Sequence, residues 1–582
     1  MQYLRPGAYR QDVKNLEKQI AGVGTAIVGL PLVCKTGPVG IAVKTNSWTQ
    51  FENTFGGLLA DYLATFCLQV HYQNAGNSPV WVTRVTDGTA TRASFSMTLN
   101  DSPSALAIEA KYEGTEGNSI ILTTTKYSPV TTTSAAAESG AITSMVVKST
   151  DGFKINASAK VSQGVNIVYS KITSVNSDTN TIGWTDATPA VAGTVTIEVM
   201  EIQLDVSIPD GTSEVLYVSL MQGADNFIED VLAQTQGGQD SESLFLSMAS
   251  GLITSYPTAS DARPTNSTIA INTSGTAGLS SLDGTDFTST STGGEGLAAL
   301  SEKEDITLVT IPDLHAATLT LGDSLIAAAQ IAGATFCDLR KDCSYIAAVP
   351  QSKALGTDLN TSAYDYVTST VNYNSKRLDF YYPWVKVSNP LTGRFIWLPP
   401  CLVTGVISRV DNEIGNFQDP AGDIAVISGV IDLEYKIGDT EQDDLNPAGI
   451  NCIRSIPNVG RAIWGCRTQS KDIDFIYISV VRHSDYVYDS LKNSTFPYVF
   501  KANTPALRRA VTSVITTFLR REMAKGAFKS QVEAEAFYVK CDSENNTDVT
   551  IDEGKLIINY GIAESKPAEF IIYKVAHTVP KS

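Results

Sequence analysis

A multidomain α/β protein with a β-rich insertion and extended termini is the fold class the sequence predicts. Three observations carry it. Buried-strand runs alternate with amphipathic helical runs at the start of the chain and again beyond about residue 295, the pattern of βαβ units. Residues 96–210 switch to short runs rich in Thr, Ser and Val with Gly, Asp and Asn turns between them, the texture of an antiparallel sandwich or barrel. The 582 residues amount to roughly three to five domains at about 150 residues each, enough for several cores.

Residues 1–20 form a polar leader broken at Pro6-Gly7, a candidate extended arm whose apolar contacts are Tyr3, Leu4, Tyr9 and Val13. Residues 21–95 read as a small α/β unit. In it GVGTAIVGLPLV is a buried strand, Trp48 to Leu68 carries apolar residues at helical spacing broken at Gly56-Gly57, and PVWVTRV is a second strand. After the β-rich block at 96–210, residues 211–445 return to alternating helix and strand. Within them, 251–300 holds 18 Ser or Thr against five charged residues, a surface-loop composition. The runs GLAALSEKEDITLVTIPD and LTLGDSLIAAAQIAGATFCDLRKDCSYIAAVP follow, so a parallel or mixed sheet is expected there.

Residues 446–566 read as an α+β C-terminal domain containing the best-marked helix of the chain. Thr504 caps it, Pro505 takes the first-turn position and Gly526 ends it. Leu507, Val511, Val514, Ile515, Phe518 and Leu519 form its buried stripe, with Arg509, Ser513, Thr516 and Arg520 on the opposite face. Residues 567–582 are a C-terminal arm. Apolar and aromatic residues fill both faces of Phe570, Ile571, Ile572, Tyr573 and Val575, the pattern of a strand covered on both sides. With almost no chain after it, such a strand needs a sheet to join.

Composition narrows the function. Hydrophobic residues make up 43% and charged residues 18%, a globular balance. A net charge of −18 argues against a general nucleic-acid binder, which must show basic surface to phosphate. The polar N-terminus lacks the apolar stretch of a signal peptide, and no run approaches the roughly 18 apolar residues of a membrane span. Eight dispersed cysteines without a C-x-x-C pair are expected to be reduced, buried thiols.

Catalytic chemistry finds little to work with. The four histidines, at 71, 315, 483 and 577, form no ligand-like cluster, and no metal or cofactor motif is present. GVGTAIVG fails the spacing of a dinucleotide loop. Gly322-Asp323-Ser324-Leu325 matches the nucleophile block of one esterase group, yet the D-x-x-H that would supply its base is missing. The plainer reading is a helix start with Asp323 near the positive end of the dipole.

A family resemblance begins at residue 380. FYYPWVKVSNPLTGRFIWLPP, GVISRVDNEIGNFQDPAG and DTEQDDLNPAGINCIRSIPNVGRAIWGCRT resemble, in order and spacing, the contractile tail sheath proteins of bacteriophages and related injection systems. PGAYRQDV, WTQFENTFGG, NSPVWVTRV and EGTEGNSI are similar to the family's opening segments, and ALRRAVTSVITTFLRREMAKGAF, AFYVKCD and AEFIIYKV to its C-terminal domain. From about 120 to 300 only short pieces such as GLAAL match.

The resemblance implies a structural, non-enzymatic subunit that needs no cofactor, forms stacked six-fold rings around an inner tail tube, and contracts. It implies a subtilisin-like middle domain in architecture only, since no Ser, His and Asp set accompanies it. It also implies arms that pair with neighbouring subunits, partners in the tube, baseplate and tail terminator, and assembly in the bacterial host cytoplasm into the virion tail. Nucleic-acid binding and membrane insertion are not part of it. Phage, tailocin and other injection devices all fall within it. On this reading Tyr3, Leu4, Tyr9, Val13, Phe570, Ile571, Ile572, Tyr573 and Val575 are inter-subunit strand residues, and Arg509 and Arg520 are candidates for facing the tube. A hydrolase built on Ser324, or a tube or baseplate component, are the alternatives; the chain is long for a tube subunit.

Overall fold

An eight-stranded sheet organises the chain, and the alternation of its side chains shows why both of its faces are covered. The computed structural model describes residues 20, 22–100, 105–209, 211–233, 242–248, 260–270, 274–290 and 294–573. Strands β1 (Val28–Leu32), β2 (Ala42–Thr45) and β3 (Val80–Arg84) precede the insertion. β4 (Leu308–Val309), β5 (Ser344–Ala348), β6 (Leu378–Tyr382), β7 (Ile450–Ile456) and β8 (Gly460–Ile463) follow it. The spatial order is β2-β3-β1-β4-β5-β6-β7-β8. All neighbours from β3 to β7 run parallel, and the edges β2 and β8 are antiparallel.

Helices α1 (Trp48–Phe55), α2 (Ala64–Ala75), α3 (Asp323–Arg340) and α4 (Val403–Glu413) supply the covering layers. Tyr345, Phe380 and Tyr382 enter one core with α3, while Ile346 and Tyr381 enter the other with α2 and α4. This period-two division of apolar residues between two buried faces is what a parallel sheet requires. Gly56 ends α1 at φ 83°, as the Gly-Gly break predicted. Where α4 crosses α2, a Cβ on Gly405 would stand 2.6 Å from the His71 carbonyl oxygen, so the helices meet backbone to backbone.

Between β3 and β4 the chain builds two antiparallel β lobes with separate cores. One packs Met97, Ile108, Leu122, Leu204, Val218 and Leu246; the other packs Met145, Val161, Ile172, Trp184 and Ile197. The boundary expected at 210 falls inside the first lobe and is corrected. Ser213–Val218 pairs with Glu201–Ser207, Leu246–Met248 with Ala105–Ala110, and Ser267–Ala270 with Ile121–Tyr127. Two of these partners lie more than 130 residues upstream, and such pairing leaves no local signature.

The surface loop expected at 251–300 is corrected likewise. Residues 249–259 lie outside the described residues, but Phe287, Leu297 and Leu300 are buried in the central core. Ser and Thr here serve pairing and capping. The Thr123 and Thr268 hydroxyls meet at 3.1 Å across the lobe, and Asp283 caps the helix Gly284–Thr288 through the Thr285 amide.

The C-terminal unit contains α5 (Ile478–Thr495), α6 (Pro505–Lys525) and the antiparallel pair β9 (Phe537–Lys540) and β10 (Asn559–Ile562). In α6 the Thr504 hydroxyl accepts the Leu507 amide at 3.2 Å and Gly526 closes the helix at φ 95°. Its predicted stripe is the core, with Val511, Val514, Ile515, Phe518 and Leu519 buried and Leu507 half-buried. The boundary expected at 446 comes too early, because β7 and β8 complete the central sheet and the Phe380–Ile450 register ties them to β6.

Candidate assembly surfaces

The tail places four apolar side chains in solvent. Phe570, Ile571, Ile572 and Tyr573 are 70%, 74%, 78% and 84% exposed and belong to no strand. The strand expected from Phe570 onward, covered on both sides, is therefore not formed within the single chain. Among the described residues it pairs with none of the chain's own sheets. Tyr3, Leu4, Tyr9, Val13 and Val575 lie outside the described residues.

The root of this tail is held by four donor contacts. The Glu569 carboxylate accepts Arg467 Nε at 3.0 Å and Nη2 at 2.6 Å, Asn446 Nδ2 at 2.5 Å and the Tyr477 hydroxyl at 3.3 Å. Both side chains of the ion pair are largely buried. Burial pushes the carboxyl up, but the bonds and charge of Arg467, with Asn446 and Tyr477, outweigh it and hold Glu569 below its ordinary value. A groove of about 740 Å³ opens beside this root, with Trp464, Pro567 and Phe570 in its walls.

The pair β9–β10 is a two-stranded sheet whose members each pair on one side only among the described residues. Two strands alone are marginal, and here one face rests on the helical core through Phe537. On the other face the exposed Tyr538 ring lies over Gly561, where a Cβ would meet it at 2.4 Å. The outer edges of this pair are unpaired templates.

A basic stretch completes the set. Residues 490–532 hold eight Lys or Arg against a single acid, Glu522, in a chain of net charge −18. Arg509 is exposed on α6 and has no ion pair among the described residues. Arg520 is exposed too, but Glu533 grips it at 2.8 and 3.0 Å. The link from α5 to α6 carries Phe496 and Phe500 fully or largely in solvent. The run FPYVF between two helices is the signal that would have marked them; Glu569 and Arg467 had no such signal, being 102 residues apart.

A profile of the phage tail sheath protein central domain matches residues 282–469, and one of the phage tail sheath C-terminal domain matches 470–578. Together they run unbroken over just more than half of the chain. The chain belongs to the phage tail sheath family. A prophage major tail sheath protein from Pseudomonas aeruginosa is 28% identical over 212 residues, 36% of this chain and 53% of its own length. This sheath chain therefore spans about half the length of that relative. A sheath tail protein from Listeria innocua shares the fold at TM-score 0.53 with 14% identity, over 94% of this chain and 97% of its own. The helical sheath of the anti-feeding prophage in its contracted state does so at TM-score 0.51 and 18% identity, over 98% and 99%. The change of profile at 469 and 470 falls just after β8, where the central sheet ends.

Ser324 stands exposed in the first turn of α3 with no histidine hydrogen-bonded to it among the described residues, and Asp323 pairs with Lys353 at 2.7 Å. His71 and His483 are buried and His315 is half-buried; His71 Nδ1 meets the Thr404 hydroxyl at 3.1 Å and His483 Nδ1 the Glu564 carboxylate at 3.0 Å, while His577 lies outside the described residues. Among the described residues no group of three or more His, Cys, Asp or Glu is placed to hold a metal, and no helix is long and apolar enough to cross a membrane. All eight cysteines are free and buried.

Proposed function

We propose that the chain is the structural subunit of a contractile sheath, polymerising as six-fold rings stacked helically around an inner tail tube. Baseplate and terminator proteins close its ends. On triggering, the lattice shortens and drives the tube through a bacterial envelope to deliver a genome or an effector. No cofactor or nucleotide enters this cycle. The energy resides in the subunit contacts, and the contracted lattice has the larger or better packed interfaces. Subunits assemble in the host cytoplasm into the tail of a virion or a tail-like particle. The central sheet is the subtilisin-like layer of the family, used as a scaffold without catalysis.

The observation that carries this reading is the tail. Four consecutive apolar side chains in solvent, together with a two-stranded sheet whose edges are unpaired among the described residues, support reading them as the two halves of a β-augmentation. The tail of one subunit, and the N-terminal arm with Tyr3, Leu4, Tyr9 and Val13 of another, add strands to β9–β10 of a third. Arg509 faces an acidic tube surface, and Arg520 stands beside it with its charge already partnered by Glu533. Negative-stain microscopy of the purified chain, alone and with its tube protein, is expected to show tubes with a regular axial repeat. Particles that remain monomeric in both would overturn the reading.

A further inference from the structure

The sequence block around Asn446-Pro447-Ala448-Gly449 and the Cys466-Arg467-Thr468 run matches the family, yet sheet formation alone leaves the side chains of Asn446 and Arg467 without a task. The fold supplies one. The chain leaves β10, and Ser565 bonds Ala527 through its amide at 3.0 Å, still on the C-terminal unit. It then passes the segment between β8 and α5, where Lys566 reaches the Ile473 carbonyl at 3.2 Å, and meets the end of the central sheet at Glu569 through Arg467 and Asn446. Asn446 comes from the turn before β7, Arg467 from the segment after β8, and Tyr477 from the start of α5. Three separate elements thus converge on one carboxylate, and the next four residues touch little else.

We propose that Glu569 is the anchor of the C-terminal arm. Gripped by Arg467, Asn446 and Tyr477, it fixes the point and direction in which the apolar tail leaves the body. A pull on the tail is then delivered to β7 and β8 of the central sheet and not to the two-stranded β9–β10. The proposal rests on the reading that the tail pairs with another subunit. The planar guanidinium fork matters because two parallel N–H bonds fix orientation as well as position, which the point charge of a lysine cannot do.

The test uses the full chain with Glu569→Ala, Glu569→Gln and Arg467→Lys, beside a chain ending at Glu569. Thermal melting reports the fold, hydrogen exchange at 563–569 reports the anchor, and electron microscopy with sedimentation reports polymer. Glu569→Ala should melt within a few degrees of the parent, speed exchange of the hydrogen-bonded amides of Ala563 and Ser565 at least tenfold, and yield at least tenfold less tubular polymer although every tail residue is present. Arg467→Lys should fall between. Should Glu569→Ala fail to fold, Glu569→Gln keeps the shape and some of the bonds, and its expected signature is the same loosening at smaller amplitude. Wild-type polymer from Glu569→Ala, with none from the chain ending at Glu569, overturns the anchor and leaves the sheath reading standing. Polymer from the chain ending at Glu569 overturns the tail as an inter-subunit strand, and the anchor with it.

Discussion

Removing residues 570–582 separates a tail that serves its own fold from one that serves a neighbour. The four described side chains bury only about a quarter of their surface in the single chain. At roughly 1.5–3 kcal/mol for full burial of one large side chain, the whole run contributes about as much as one such residue, at most about 3 kcal/mol. Even that is an upper bound, because the unfolded chain already buries part of the same surface. A lattice that covered the rest would gain about three times as much, roughly 4.5–9 kcal/mol per subunit, before the entropy of ordering the tail is subtracted. The truncated chain should therefore keep nearly its full melting temperature while failing to form tubes, as read by circular dichroism and electron microscopy on one preparation. A large drop in melting temperature would show that the tail belongs to its own chain. Unchanged tubes would show that the lattice is held elsewhere.

Other changes probe single residues. Arg509→Glu should weaken tube-templated assembly more than Arg520→Glu, because Glu533 already partners Arg520, and the effect should shrink as salt rises; equal effects would refute the asymmetry. Asp379 is fully buried with neither oxygen bonded among the described residues, and burial, offset in part by Arg482 and reinforced by Asp419, raises it to about 8. Its folded value lies above its unfolded one, so the folded state holds the proton more tightly and wild-type stability falls as pH rises from about 4 to about 8. Asp379→Asn should remove that slope and gain on the wild type across the same window, by up to several kcal/mol in denaturant unfolding; parallel curves would refute it. Gly405→Ala should cost roughly 1–3 kcal/mol by driving α4 off the His71 carbonyl, and an unchanged midpoint would show that the helices have room.

Local signals were read well and distant ones poorly. The cap, proline and glycine of α6 sit next to each other in the chain, and the helix runs between the residues they predicted. The Gly56 break and β3 are legible for the same reason. What escaped was pairing at long range. Ser267–Ala270 looks like loop by composition, and only Ile121–Tyr127 makes it a strand. From the sequence β7 reads as part of the C-terminal unit, because nothing in INCIRSI says that its neighbour is LDFYY, some 70 residues earlier. The same limit governs the assembly surfaces. The tail showed itself through its apolar run, but its anchor joins position 569 to positions 446, 467 and 477, a relation that exists only in the fold.

The two arm roots are held on different parts of the body, so any swing of the C-terminal unit against the central sheet would change the distance between them. On the N-terminal side Ile20 is buried in the core of α5 and α6, Arg521 Nη2 bonds its carbonyl at 2.9 Å, and the Val23 amide reaches Ser490 at 3.3 Å. On the C-terminal side the root is Glu569 against Arg467, beside the central sheet. Two largely buried ion pairs oppose that swing. Arg377, at the start of β6, bonds Asp485 of α5 with both Nη atoms, and Arg482 of α5 does the same to Asp411 of α4. Separating a buried pair leaves charges uncompensated and costs about 3–5 kcal/mol, so two such welds outweigh most single contacts that a neighbour could trade for them. Under the proposed function, movement during shortening should then leave the central and C-terminal units turning as one body. Structures of the polymer at both lengths should superpose β6, α4 and α5 without relative rotation. A displaced α5, with either ion pair open in one of the two lengths, would refute the argument.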